Sequence, residues 1–173
     1  MSEAQARRVE RAGLYSPEER ARRDETPWTL VQGVLAPVQF CVFLISVWLV
    51  ARYLFTGEGY AVATASVVAK TLVLYLIMIT GCIWEKAVFG QYLFARPFFW
   101  EDVFSMGVLA LHTAYLIGLA SGDVHPRALM LLACAAYAAY VINAGQFLLK
   151  FRAARLSAND LSLRGQSLPV THA

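Results

Sequence analysis

Four runs of apolar residues, about 30–54, 61–85, 101–121 and 127–150, dominate the chain. Each is long enough to cross a hydrocarbon core of roughly 30 Å as a helix of about 20 residues. Backbone inside lipid must satisfy its own N–H and C=O groups, so such runs form helices. The expected fold is therefore all-α, an integral membrane four-helix transmembrane bundle. Composition agrees: of 173 residues, 58% are hydrophobic and 16% charged, with a mean hydropathy of +0.52, more apolar than a soluble domain of this size. The chain divides into an N-terminal tail with a short surface helix (1–29), a four-span domain (30–151) and a polar tail (152–173).

Basic residues set the expected orientation, because Lys and Arg are retained on the cytoplasmic side. Twelve fall before residue 30, between spans two and three, or from Lys150 onward, and only Arg52 and Arg127 border the other two loops. Both termini are expected in the cytoplasm. The residues ahead of span one are polar and carry charges of both signs, so span one is expected to act as its own insertion signal, and Arg7-Arg8 is not read as an export motif.

Local signals place the element ends. Ser16-Pro17-Glu18-Glu19 fits a capping box with Pro at the first helical position, and Thr26-Pro27 ends the short helix it opens. A solvated tail is the expectation for residues 1–26. Thr56-Gly57-Glu58-Gly59 reads as a tight outer turn. Lys70 is the lone basic residue inside span two and is expected to snorkel to the interface along its long stem. In span one, Gln32 and Gln39 are seven residues apart and share a face, where amides bind neighbouring helices or line a polar cavity. Alanines in span four are expected to allow close helix packing. Cys41, Cys82 and Cys134 lie within the spans without a CxxC or a His at ligand spacing, so they read as packing residues rather than a disulfide framework or metal site.

Residues 80–115 draw the functional reading. Between Trp84 and Phe104, eight of 21 residues are aromatic, against 13% in the whole chain, a surface against which something large and flat could lie. Glu85 and Lys86 stand on one side of it and Glu101 and Asp102 on the other, and ionisable groups near hydrocarbon have partners or a task. The connection between spans two and three, about 86–100, is too apolar to sit freely in water, and Arg96-Pro97 marks its turn. Glu101, Ser105, Val108 and His112 follow a 4-3-4 spacing and form one stripe, although acidic residues in a first helical turn also simply complement the helix dipole. Tyr140, Asn143 and Gln146 form a second polar face. With the expected orientation these groups fall in the cytoplasmic half, and a polar pocket roofed by an aromatic loop follows, with His112 deepest.

No Gly-rich phosphate loop, dinucleotide fingerprint or nucleophile elbow is present, which leaves acid–base chemistry by carboxylates and one His. The run GEGYAVATASVVAKTLVLYLIMITGCIWEKAVFGQYLFARPFFWEDVFSMGVLALHTAYL, with TLVQGVLAPVQF ahead of it, resembles the 3-vinyl (2-vinyl) bacteriochlorophyllide hydratases over about residues 27–120; IWEKAVFGQYLFA and FFWEDVFSM are its specific part. The resemblance implies addition of water to the C3 vinyl group of chlorophyllide a or 3-vinyl bacteriochlorophyllide a, giving a 3-(1-hydroxyethyl) group. It also implies the bacterial inner membrane, cytoplasmic or intracytoplasmic, and other bacteriochlorophyll-synthesis enzymes as candidate partners beside the lipid bilayer and the magnesium chlorin. No nucleic acid is expected, and no cofactor, since water is the co-substrate and magnesium belongs to the substrate.

On this reading Glu85 and Glu101 are the candidate acid and base, in either order, and Asp102 is a poorer partner for Glu101 because adjacent helical residues point about 100° apart. Gln39, Trp84, Trp100 and Asn143 are candidate substrate contacts. Lys86 or Arg96 is a candidate to hold the propionate, and His112 is either a ligand to the substrate's magnesium or a buried, hydrogen-bonded histidine. A non-catalytic pigment-binding or assembly subunit, with His112 as ligand and the carboxylates as caps, is the alternative.

Overall fold

The computed structural model describes residues 14–166, so the outer parts of both expected tails, Arg7-Arg8 among them, lie outside the described residues. Among the described residues every regular element is a helix: α1 (Pro17–Glu25), α2 (Pro27–Thr56), α3 (Tyr60–Phe89), α4 (Phe99–Ser121) and α5 (Pro126–Gln166). α2 to α5 supply four helices long and apolar enough to cross a membrane, the last as far as Ala153.

The capping box forms as the sequence requires. Ser16 Oγ accepts the Glu19 N–H (3.2 Å) and the Glu19 carboxylate accepts the Ser16 N–H (2.7 Å), with Pro17 where its missing N–H costs nothing. Thr26 is extended, as the residue before a proline prefers, and Pro27 then opens α2. One expectation needs correcting: the segment around α1 is not wholly solvated. Tyr15 is buried, its ring stacked on Phe89 at 5.8 Å, because an apolar ring beside a bundle end gains more from covering other rings than from water.

α2 continues through Pro37 and stops at Gly57, whose φ of 76° is the left-handed conformation glycine adopts without strain. α3 stops in the same way at Gly90, φ 82°, where the N–H returns to the Lys86 carbonyl (3.1 Å). The connection to α4 is therefore only residues 90–98, shorter than the expected 86–100, because buried Val88 carries the helix one turn further. Within it the Phe98 N–H donates to the Ala95 carbonyl (2.8 Å), closing the turn at Arg96-Pro97.

The spans pack as two hairpins, α2 with α3 and α4 with α5. Gln32 Nε2 donates to Thr80 Oγ1 (2.7 Å) and Ser46 meets Ser66 (2.7 Å) in the first, and Asn143 Nδ2 donates to Ser105 Oγ (2.8 Å) in the second. Such interhelical bonds contribute about 0.6 kcal/mol each in a bilayer. Outward faces are apolar, with Ile45, Trp48, Leu72, Ile79, Ile117, Leu131 and Leu148 exposed, as a lipid-facing surface demands. Cys41 and Cys134 also face outward and so are not packing residues of the core. Of the span-four alanines, Ala133 and Ala136 are buried, whereas Ala135 and Ala138 face out.

Two apolar clusters lie towards opposite ends. One joins Phe43, Val50, Val67, Tyr115, Met130 and Tyr137; the other joins Tyr15, Val88 and Phe98, flanked by Trp84, Phe89 and Phe147. Many buried polar residues line the interior of the bundle, among them Gln39, Lys70, Glu85, Glu101, Asp102, Ser105, His112 and Asn143. Lys70 overturns its expected role. It is fully buried rather than snorkelling, its Nζ 3.9 Å from the centre of the Tyr140 ring. It stands about three turns into α3 on the inward face, so its stem has no path along lipid to the interface, and the ring face of Tyr140 meets the ammonium instead.

Candidate active site

The expected 4-3-4 stripe exists: Glu101, Ser105, Val108 and His112 are all buried on one face of α4. That face does not bring Glu101 to Glu85. Glu85, in the last turn of α3, instead lies beside Asp102, in the first turn of α4, near enough for the two carboxyls to interact. Two carboxyls this close favour a proton on one of them, an arrangement that can set an acid beside a base. The connecting loop closes over it: the Ala95 N–H donates to Glu85 Oε2 (3.2 Å) and the Phe94 N–H to Asp102 Oδ2 (2.7 Å). Phe94 adopts a φ of 60°, uncommon for a residue with a side chain, and the Asp102 carboxylate holds it there.

Glu101 turns the other way, to Lys150 of α5, whose Nζ lies 2.6 Å from its Oε2. The same ammonium donates to the Pro97 carbonyl and lies 5.2 Å from the Phe98 ring centre. Lys150 thereby ties loop, α4 and α5 together. Sequence reading placed it only at the start of a basic tail. The signal was available, since Glu101 and Lys150 lie at similar distances from the short turn joining their helices and so come to the same end of the bundle.

Aromatic residues divide between two surfaces. Phe98 is buried at the middle of an inner cluster, 5.8 Å from Trp84, 5.9 Å from Phe89 and 6.0 Å from Phe147 by ring centres. Tyr15 caps that cluster, and burial pushes its phenol above the ordinary value, against the opposing pull of Arg23, which lies 4.9 Å over the ring. Trp84 is half-buried and donates from Nε1 to Thr29 Oγ1 (2.9 Å). Phe94, Phe99 and Trp100 instead form an exposed run, with centroid separations of 5.7 and 5.5 Å. It begins at the residue that Asp102 holds.

The remaining candidates separate by depth. Lys86 is exposed and bonds the Gly90 carbonyl (2.7 Å); Arg96 is exposed at the loop turn. Gln39, His112 and Asn143 are buried deeper along the seam. Asp102 and His112 lie about 15 Å apart along α4 and cannot act on one vinyl group. Among the described residues no cluster of His, Cys, Asp and Glu could hold a metal ion. A groove of about 450 Å³ between α2 and α5, lined by Val50, Leu54, Arg127, Leu131 and Tyr137 among others, opens beside the other apolar cluster and contains no carboxyl group.

A family model described as 2-vinyl bacteriochlorophyllide hydratase matches residues 15–153. The chain belongs to the 2-vinyl bacteriochlorophyllide hydratase family. It is 66% identical over 148 residues to the 2-vinyl bacteriochlorophyllide hydratase of Rhodobacter capsulatus, covering 86% of each chain. It is 68% identical over 143 residues to that of Cereibacter sphaeroides, covering 83% of this chain and 89% of that one. No solved structure matches the chain. The stretch matched by the hydratase family model starts at Tyr15, which seats α1, and includes Lys150.

Proposed function

We propose that the protein adds water to the vinyl group of a bacteriochlorophyllide, as the names of its relatives state for them. The geometry that carries the mechanism is the adjacent pair of carboxyls, Glu85 and Asp102, held under the loop by the Ala95 and Phe94 N–H groups. The protonated carboxyl of the pair gives its proton to the terminal vinyl carbon, whose π electrons form the new C–H bond. The resulting cation lies next to the macrocycle and is delocalised into it. Water bonds to this inner carbon through oxygen and loses a proton to the remaining carboxylate, which restores one proton to the pair. The change is redox-neutral and requires only acid, base and water, so the enzyme uses no cofactor and the magnesium enters and leaves with the substrate.

In this reading the flat ring lies on the exposed Phe94, Phe99 and Trp100 and directs its vinyl arm past Phe94 to Asp102. Arg96 takes the propionate, because Lys86 already bonds Gly90. The basic residues put both termini and residues 90–98 on the cytoplasmic face of the bacterial inner membrane, where other enzymes of the same synthesis can deliver the pigment. Purified protein given chlorophyllide a should shift its absorption as the conjugated vinyl group is lost; tight binding without that shift would favour the pigment-binding subunit. Reporter fusions at Gly57 and Asp123 should both read the outer side, and a cytoplasmic signal from either would reverse the orientation.

A further inference from the structure

Six polar atoms along the hairpin seam are buried without a hydrogen-bond partner: Gln39 Nε2 and Oε1, Lys70 Nζ, His112 Nε2, Asn143 Oδ1 and Gln146 Oε1. They come from all four spans. Burying such atoms unpaired costs about 1–3 kcal/mol apiece, so this cluster has a guest. Contacts in the structure join the groups. Lys70 sits on the Tyr140 ring, Tyr140 packs on Phe43 (4.8 Å between centres), and Phe43 packs on Tyr137 (5.5 Å), which lies 6.0 Å from His112. On α2 and α5 the pairings Ser46–Tyr137 and Phe43–Tyr140 step in register, and the next step places Gln39 level with Asn143. Asn143 is bonded to Ser105, one turn from Glu101 and Asp102, and Gln146 is one turn from Lys150. The row therefore runs from the middle of the membrane to the carboxyl pair.

The chemistry of the row identifies the guest. Lys70 Nζ and Gln39 Nε2 are donors, whereas Gln39 Oε1, Asn143 Oδ1 and Gln146 Oε1 are acceptors. His112 Nδ1 lies 2.8 Å from the Val108 carbonyl, and a proton donated there leaves Nε2 as a further acceptor. An anion would satisfy only the donors and a cation only the acceptors. Water does both. We propose that Gln39, Lys70, His112, Asn143 and Gln146 hold a file of water that leads along the seam to Glu85 and Asp102. Resting on the hydratase reading, the file keeps the co-substrate at hand in a cleft otherwise walled by lipid-facing helices.

The test is radiolytic hydroxyl labelling of the full chain in nanodiscs, without substrate, followed by mass spectrometry. Radicals born from bound water attack the side chains beside it, so His112 should label, relative to its intrinsic reactivity, several-fold faster than Met130, which is equally deep but belongs to the apolar cluster and carries no unpartnered polar atom. Asn143→Leu and Gln39→Leu should each slow that labelling while the protein stays monodisperse, and should lower kcat about tenfold, the scale of one lost water-mediated contact, with KM unchanged. Two variants guard against one of them failing to fold. Labelling at His112 no faster than at Met130 overturns the file even if hydration activity is normal. Fast labelling in a protein that never converts chlorophyllide leaves the file standing and removes the hydratase reading instead.

Discussion

Glu101 and Asp102 adjoin in sequence but face different helices: Glu101 reaches Lys150 of α5 at 2.6 Å, while Asp102 lies beside Glu85 of α3 and accepts the Phe94 N–H at 2.7 Å. Successive helical residues diverge by about 100°, so one turn of α4 serves two hairpins. Glu101 fastens α4 to its own hairpin partner, and Asp102 faces Glu85 across the seam, where the proposed mechanism uses both.

Amide substitutions should separate these roles. Glu85→Gln and Asp102→Asn keep shape but remove a carboxyl, and each should lower turnover by about two to four orders of magnitude, the range for a positioned acid or base. Glu101→Gln should cost less than about tenfold, since a partly exposed ion pair contributes at most about 1 kcal/mol. Steady-state rates followed by the absorption of the chlorin would decide, and equal losses at all three positions would return Glu101 to the reacting group.

Proton delivery leaves an isotopic mark. Turnover in heavy water should place one deuterium on the new methyl group and none on the carbon bearing the hydroxyl, as read by NMR of the product. Deuterium at the carbinol carbon would exclude protonation of the terminal vinyl carbon.

His112 is fully buried, so a macrocycle reaches its Nε2 only if the hairpins part. His112→Ala should leave chlorophyllide affinity within about twofold, because no contact to the pigment is lost. A much larger fall in affinity, measured by pigment retention during gel filtration, would assign His112 to the substrate's magnesium.

The seat of α1 should depend on pH through Tyr15. Its phenol is raised by burial in the folded protein, so the neutral form is favoured there and its contribution is fully present below about 10, the unperturbed value. As pH rises from there through the higher folded value, the contribution is lost. Protease cleavage near residue 14 should accelerate over that window, and Tyr15→Phe should abolish the pH dependence while keeping the stacking on Phe89. Acceleration that persists in Tyr15→Phe would assign the effect to another group.

Sequence by itself determined what is local or set by solvent. Spanning length and apolar composition dictated four helices, because lipid leaves backbone no alternative. Ser16 and Glu19 specified the capping box, Gly57 the end of α2, and the 4-3-4 spacing of Glu101, Ser105, Val108 and His112 a common face, since each needs only its neighbours in the chain. Tertiary structure decided which group on one helix meets which on another. It joined Glu85 to Asp102 instead of Glu101, brought Lys150 to Glu101, folded Tyr15 onto Phe89, and turned Lys70 inward onto Tyr140. Those outcomes depend on helix rotation and on how one hairpin docks against the other. Periodicity along a single helix carries no record of either, because a rotation of a few tens of degrees leaves the apolar pattern intact and changes every polar partner.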